Sequence, residues 1–415
     1  MSFFDRQFEN AISPKAPRIF YAAGPGDLIE AHRNWRNGVD DPSQMAVTYS
    51  SQFEQFCHDL DSPAYIVSSA SPPQIIRDGM FVVEHRPKRS GRALGYHLSQ
   101  ISYGLGLVAT AVKFGADYAI INSGTTHYFV LSVFRLYGIK VIPVIHNTLW
   151  PAGFPPKSRF SKVLLFLDGL FFRWIASAII AISPECVRQI DKATKGRHGP
   201  IYEEKVLFDE KLFPLKPPPP LTRFRLLFAG RIEENKGVYD LLEIMKRVEE
   251  EMPDHVALNI CGGGPELEAL RTRCKKLGLD ATITIHGRTM PDDLRKILIS
   301  SHASIVPTRS NFPEGLAMAA VEPILIGRPV ITSPVVPAHE IVASACLVAE
   351  TDNNESYVEK ILLLVRDPVL YSNLCNACAS IRDRFFDRSK SFYALLIKVH
   401  VHLRFPIEKA GCPGQ

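Results

Sequence analysis

The chain has 415 residues, 46% of them hydrophobic, which is enough for two domains with a core each. Its 48 lysines and arginines against 43 aspartates and glutamates leave +5, too little to mark a nucleic-acid binder. Eight cysteines at scattered spacings fit no disulfide framework and read as reduced thiols of a cytosol, and the Cys375-x-x-Cys378 pair lacks the further ligands a metal needs.

Residues 1–18 lack the basic start and apolar block of a secretory signal, so they are expected in the mature protein. Residues 18–23 (RIFYAA) read as a strand ending in Gly24-Pro25-Gly26-Asp27, with a helix-compatible run over 28–37. Gly24 and Gly26 fit either a backbone that approaches a ligand or a plain tight turn. A helix over 50–61 and strands over 64–68 and 79–85 come next, the last of them meeting Arg86, Lys88, Arg89 and Arg92. Four cations within seven residues suit a solvated loop, or contact with an anionic acceptor or membrane surface.

A helix over 93–114, a strand over 118–122, a helix over 127–137 and a strand over 140–145 follow. His146 stands at the carboxyl end of that last strand, where an imidazole either hydrogen-bonds a ligand or serves the fold. The most apolar segment, 163–183, is interrupted by Asp168, Gly169 and Arg173, each costly in a bilayer. A buried or interface-lying helix running into a strand fits it better than a membrane span. After the strand over 178–182, Ser183 caps a helix over 184–193.

Residues 213–222 (FPLKPPPPLT) contain four consecutive prolines, an extended connector that cannot join a sheet. Beyond it strands are expected over 224–229, 256–260, 282–286, 303–307, 329–332 and 346–349, with helices over 238–251, 265–277, 291–300, 355–366 and 368–383. Regular alternation predicts an α/β protein of two doubly wound, Rossmann-like domains facing each other: 1–213, a linker 214–222, and 223–385. A helical tail, 386–415, is expected to dock on the body.

Three stretches of the second half carry chemistry. Gly230 to Gly237 closes a strand and opens a helix, so Arg231, Lys236 and backbone N–H groups are expected to converge on one anion, for which a diphosphate is the fitting ligand. Cys261-Gly262-Gly263-Gly264-Pro265-Glu266 is a second glycine-rich turn whose spacing is not that of the dinucleotide fingerprint; close backbone approach, centred on Gly263, is its expected use. In residues 310–334, Glu314 and Glu322 are expected around the start and body of one helix that Gly327 stops. Eight helical residues rise about 12 Å, more than the roughly 5 to 9.5 Å that separates the carboxylates of a glycoside hydrolase.

Arg231 with Lys236 five positions on, GGGPE at 262–266, and Glu314 followed by Glu322 in the form EGL…E resemble the retaining GT-B glycosyltransferases of family 4. The resemblance implies that the C-terminal domain binds a nucleotide-sugar donor and the N-terminal domain receives a glycan, lipid-linked or small-molecule acceptor. By the same implication Arg231 and Lys236 hold the donor diphosphate, Glu314 contacts the sugar hydroxyls, Gly315 and Leu316 add backbone N–H groups, Glu322 accepts from the ribose diol, and His146 faces the reacting centre. Ala317, where the family often has glycine, and Pro323 after Glu322 depart from the pattern, and the Gly24–Gly26 loop matches only approximately.

The reading expects no cofactor and no metal, no nucleic acid, and a cytoplasmic protein in peripheral contact with the inner face of a membrane through the 86–92 loop and the 164–174 segment. An epimerase acting on nucleotide-sugars, or a non-catalytic sugar-nucleotide binder, are the alternatives the residues leave open.

Overall fold

Short apolar runs separated by amphipathic helices bury both faces when they form a parallel sheet with helices on each side. The chain does so twice in this computed structural model, which describes residues 16–89, 91 and 94–405. Arg92, Ala93, Cys412 and the tail beyond 405 lie outside the described residues.

In the first domain β1 (Ile19–Ala22), β2 (Ala64–Ser68), β3 (Gln74–Asp78), β4 (Phe81–His85), β5 (Tyr118–Asn122), β6 (Lys140–Ile145), β7 (Ile179–Ala181) and β8 (Ile201–Glu203) stand in the order β3-β4-β2-β1-β5-β6-β7-β8. In the second, β9 (Phe224–Ala229), β10 (Val256–Cys261), β11 (Ile283–Gly287), β12 (Ala303–Val306), β13 (Val330–Thr332) and β14 (Cys346–Val348) stand in the order β11-β10-β9-β12-β13-β14. Every pairing is parallel except that of β3 with β4. Strand order reverses between β1 and β5 and again between β9 and β12, so loops diverge there and leave a crevice at the carboxyl strand ends.

The helices that position the site start on the signals the sequence carries. Asp27 accepts the Glu30 N–H to open α1 (Leu28–Arg36), Thr48 caps α2 (Tyr49–Asp59), and α3 (Leu94–Phe114) covers the sheet. Ser158 caps α4 (Arg159–Trp174), and Ser183 caps α5 (Pro184–Thr194) as expected. Helix α4 buries Gly169, Phe171 and Phe172 and turns Val163, Phe166, Leu170 and Trp174 outward.

Residues 127–137 differ from expectation: Tyr128–Tyr137 is a 3₁₀ run. Bonds from Val130 N–H to His127 O (3.2 Å) and from Gly138 N–H to Arg135 O (3.1 Å) tighten both its ends. Strands β3 and β8 were not foreseen either. The basic loop is also less free than its composition implies, since Arg86 forks onto Glu84 (2.8 and 2.7 Å) and Lys88 donates to Gly124 O (2.9 Å) and Gln100 (3.2 Å). Burial pulls the Lys88 ammonium down to about 8, and Arg89 faces outward.

Three apolar clusters hold the molecule. One packs the outer face of the first sheet, one the outer face of the second, and the largest runs without a break from Leu131, Phe134 and Phe171 to Val321, Ile324 and Phe385. Arg328, wholly buried, ties down the connector: its guanidinium donates to Lys216 O (2.8 Å), Pro217 O (2.9 Å), Ser301 O (2.8 Å) and Ile299 O (3.1 Å). Before the second domain's own crossing, α6 (Val238–Glu251) follows β9, and α7 (Met318–Leu325) joins β12 to β13. The last helix, α8 (Phe392–Arg404), packs Phe392, Leu395 and Leu396 with Phe53 and Phe56 of α2, on the first domain.

Candidate active site

Four loops meet where the carboxyl ends of the two sheets face each other. The first two are zipped backbone to backbone. Gly230 N–H donates to Cys261 O (3.0 Å), Ile232 N–H to Gly263 O (2.9 Å) and Glu266 N–H to Ile232 O (3.2 Å). A Cβ at Gly262 would sit 1.7 Å from Gly230 O and one at Gly264 would sit 2.3 Å from Ile232 O, so these two positions demand glycine. Gly263, expected as the point of close approach, meets only the Arg288 side chain at 3.7 Å.

Glu314 lies in the loop after β12, four residues before α7 begins, so its distance from Glu322 is not the rise of one helix. The early start expected for that helix had no capping side chain to support it, and Ala317, the residue before it, has φ +70°. Glu314 is 8% exposed; Lys236 forms a buried ion pair with its Oε2, and Thr308 Oγ1 donates to the same oxygen at 3.2 Å. Lys236 and Arg231 therefore pair with different carboxylates. Arg231, 60% exposed at its side chain, pairs with Glu233 at 2.8 Å, while both cations flank the Phe312 ring, 5.7 and 4.0 Å from its centre for Arg231 and Lys236.

The fourth loop comes from the first domain. His146 follows β6, its N–H donates to Ser123 Oγ (3.0 Å), and its ring packs on Tyr49 with centroids 4.4 Å apart. Both ring nitrogens are buried without a hydrogen-bond partner among the described residues, and burial pulls the imidazole down to about 4, so it is neutral at physiological pH. A Cβ at Gly315 would sit 1.7 Å from His146 O, and Thr148 Oγ1 donates to Glu314 O at 3.1 Å. His146, Glu314, Gly315 and Lys236 thus form one continuous wall across the two domains.

Glu322 stays on α7, half-buried, and burial alone pushes its carboxyl up to about 7. Pro323 is buried in the last turn, where the helix ends two residues later, so the missing N–H costs little. Leu316 is buried and accepts the Ala338 N–H at 3.3 Å. Gly24 and Gly26 have open space where a Cβ would go, so no protein atom requires glycine at either. Phe312, Thr308, Thr148 and Tyr49 complete the site. Thr148 sits beside His146 and Phe312 beside Glu314 in the sequence, but nothing in the sequence pointed to Tyr49.

The fold is that of the GT-B glycosyltransferases, two Rossmann-like parallel-sheet domains across a cleft. Residues 210–381 match the family model described as glycosyl transferases group 1. No curated protein matches the chain. Among solved structures it resembles a sucrose-phosphate synthase from Thermosynechococcus elongatus, at 14% identity and a TM-score of 0.71 over 94% of this chain and 99% of that one. Anabaena HepE in complex with UDP-glucose aligns at 15% identity and a TM-score of 0.62, again over 94% and 99%. WaaG, a glycosyltransferase involved in lipopolysaccharide biosynthesis, aligns at 11% identity and 0.64 over 92% and 99%. At these identities the likeness establishes the fold.

Proposed function

We propose that the protein is a retaining glycosyltransferase that moves a sugar from a nucleoside-diphosphate-sugar to a hydroxyl of a glycan, lipid-linked or small-molecule acceptor. The observation that carries this reading is the buried Lys236–Glu314 pair set directly against His146 of the opposite domain. An arriving diphosphate competes for the Lys236 ammonium, with Arg231 beside it, and releases the Glu314 carboxylate to accept hydrogen bonds from the donor sugar. Gly315 and Leu316 contribute backbone N–H groups, and Glu322, a half-buried carboxyl with no hydrogen-bond partner among the described residues, suits the ribose diol.

In the transfer step the acceptor oxygen bonds to the anomeric carbon on the face from which the diphosphate leaves. The bond from that carbon to the phosphate oxygen breaks, and the acceptor proton passes to the departing phosphate. Lys236, Arg231 and the loop amides stabilise the charge that builds on the leaving group, so no protein nucleophile and no metal ion is required. Neutral His146 donates or accepts a hydrogen bond at the sugar without adding charge.

The outer face of α4 supports attachment to an anionic membrane from the cytoplasmic side. Val163, Phe166, Leu170 and Trp174 form one exposed stripe, with Lys157, Arg159 and Lys162 exposed at its start. No helix among the described residues is long and apolar enough to cross a membrane.

The test is to incubate the protein with UDP-glucose and other nucleotide-sugars, with and without EDTA, and to follow nucleoside diphosphate release and product stereochemistry. Transfer with retention, indifferent to EDTA, is expected. An interconverted nucleotide-sugar with no free diphosphate would replace transfer by epimerisation, and binding without turnover would leave a sensor.

A further inference from the structure

Beside the cleft, behind the His146 loop, lies a cavity of about 270 Å³ that no donor residue lines. Its polar wall is Ser123, His127, Asn147, Thr148 and Asp168, and Leu164 and Leu165 of α4 form an apolar one. Two of these residues also belong to the reacting wall: Ser123 holds the His146 N–H, and Thr148 donates to Glu314 O. A group in the cavity is therefore one side chain away from the donor-sugar loop.

Asp168 gives the cavity its character. It projects inward from a helix whose opposite face is apolar, its Oδ1 accepts the Phe129 N–H at 2.9 Å, and no cation among the described residues pairs with it. Two backbone N–H groups, those of Tyr128 and Phe129, face this carboxyl, which leaves about half of its lone-pair sites for a ligand. Burial, its main perturbation, pushes it up to about 7. Asn147 lines the cavity and is exposed, and its amide makes no hydrogen bond among the described residues.

Resting on the glycosyl-transfer reading, we infer that this cavity is the acceptor pocket and that it takes a single uncharged, polyhydroxylated ring, hydrogen-bonded by Asp168 and Asn147. The volume is just under the roughly 300 Å³ at which small-molecule pockets begin, room for one ring and not for a chain. Leu164 and Leu165 offer the apolar surface on which the C–H face of a sugar or cyclitol packs. An acidic ring is disfavoured, because the residues lining the cavity include a carboxyl and neither lysine nor arginine.

Saturation-transfer NMR on the full chain tests this, with neutral methyl pyranosides and myo-inositol as probes, methyl glucuronide as the charged control, and UDP, GDP or ADP added. Asp168→Asn keeps an oxygen for the Phe129 N–H, and Asn147→Ala alters only an exposed side chain. At least one neutral ring is expected to bind, about tenfold more weakly in each variant, with nucleotide affinity unchanged. Binding of neutral rings that ignores both substitutions, equal binding of the glucuronide, or silence of every neutral ring while a nucleotide binds would overturn the assignment. Absence of nucleotide binding would instead remove the transferase reading, and a ring signal still lost in both variants would then keep the pocket without it.

Discussion

Lys236 and Glu314 satisfy each other in a place water barely reaches, so removing the cation strands a buried carboxylate at a cost of about 3 to 5 kcal/mol. Arg231 stands mostly in solvent, and its loss leaves stability within about 0.5 kcal/mol. Both Lys236→Ala and Arg231→Ala are expected to lower turnover at least about a hundredfold, the scale for one preorganised charge stabiliser. Only the lysine variant should also melt earlier, and wild-type turnover in a well-folded Arg231→Ala would end the diphosphate assignment. Ala317 permits a separate test. Its φ of +70° is a region an L side chain rarely adopts, costing about 1 to 3 kcal/mol. Glycine removes that strain but frees the unfolded chain by about 0.5 to 1 kcal/mol, so Ala317→Gly should raise unfolding stability by about 1 kcal/mol in a denaturant titration. The sequence identified these residues by type and spacing. It did not reveal that Lys236 faces Glu314, because that pairing depends on how two loops fold across 78 positions.

Elements with a strong period were legible, and those held by their surroundings were not. Strands such as β9 and β10 alternate with helices whose caps or apolar faces are written in the chain, and their bounds fall within two residues of expectation. Strand β3 (QIIRD) is largely exposed and β8 has three residues, so neither carries a burial pattern to read. The 3₁₀ run carries no apolar pattern that separates it from an α-helix, and its start is tied from 39 residues away, where Phe129 N–H donates to Asp168. Arg328 is another case of an element fixed from afar. Replacing it with methionine strips charge-assisted bonds from four carbonyls outside its own turn, and a loss of about 3 kcal/mol is expected in thermal unfolding. A change within about 0.5 kcal/mol would mean that the proline connector needs no clamp. On α4, Phe166→Glu with Trp174→Glu puts two like charges into the exposed stripe and is expected to abolish co-sedimentation with anionic vesicles while leaving the melting temperature near wild type. Failure of the wild-type protein to bind such vesicles at low or high salt would remove the membrane proposal.

At the scale of the whole molecule, the two-sheet architecture followed from alternation alone, whereas the way the sheets meet did not. Contacts across the cleft, such as Gly315 under His146 O and Arg188 forked onto Glu340 at 2.6 and 3.0 Å, join positions more than 150 residues apart. Folding of the whole chain also buries carboxyls no short-range pattern marks, and they make stability depend on pH. Burial raises Asp168 to about 7, Glu204 to about 8 and Glu322 to about 7. A carboxyl raised in the folded state stabilises fully below its unfolded value, and that contribution is lost as pH climbs through the folded value. His146 and His302, pulled down to about 4 by burial, act in the opposite sense, but their effect is complete by about pH 6.5. Between about pH 6.5 and 8 these carboxyls are left unopposed by the two histidines, so stability should fall across that window. Glu204, wholly inside and beside Tyr49, accounts for on the order of 2 kcal/mol of it. Glu204→Gln keeps the shape and cannot ionise, so its unfolding free energy relative to wild type should rise from pH 6.5 to 8 and level off above. Parallel curves for the two proteins over that range would show that this carboxyl does not titrate in the window its burial dictates.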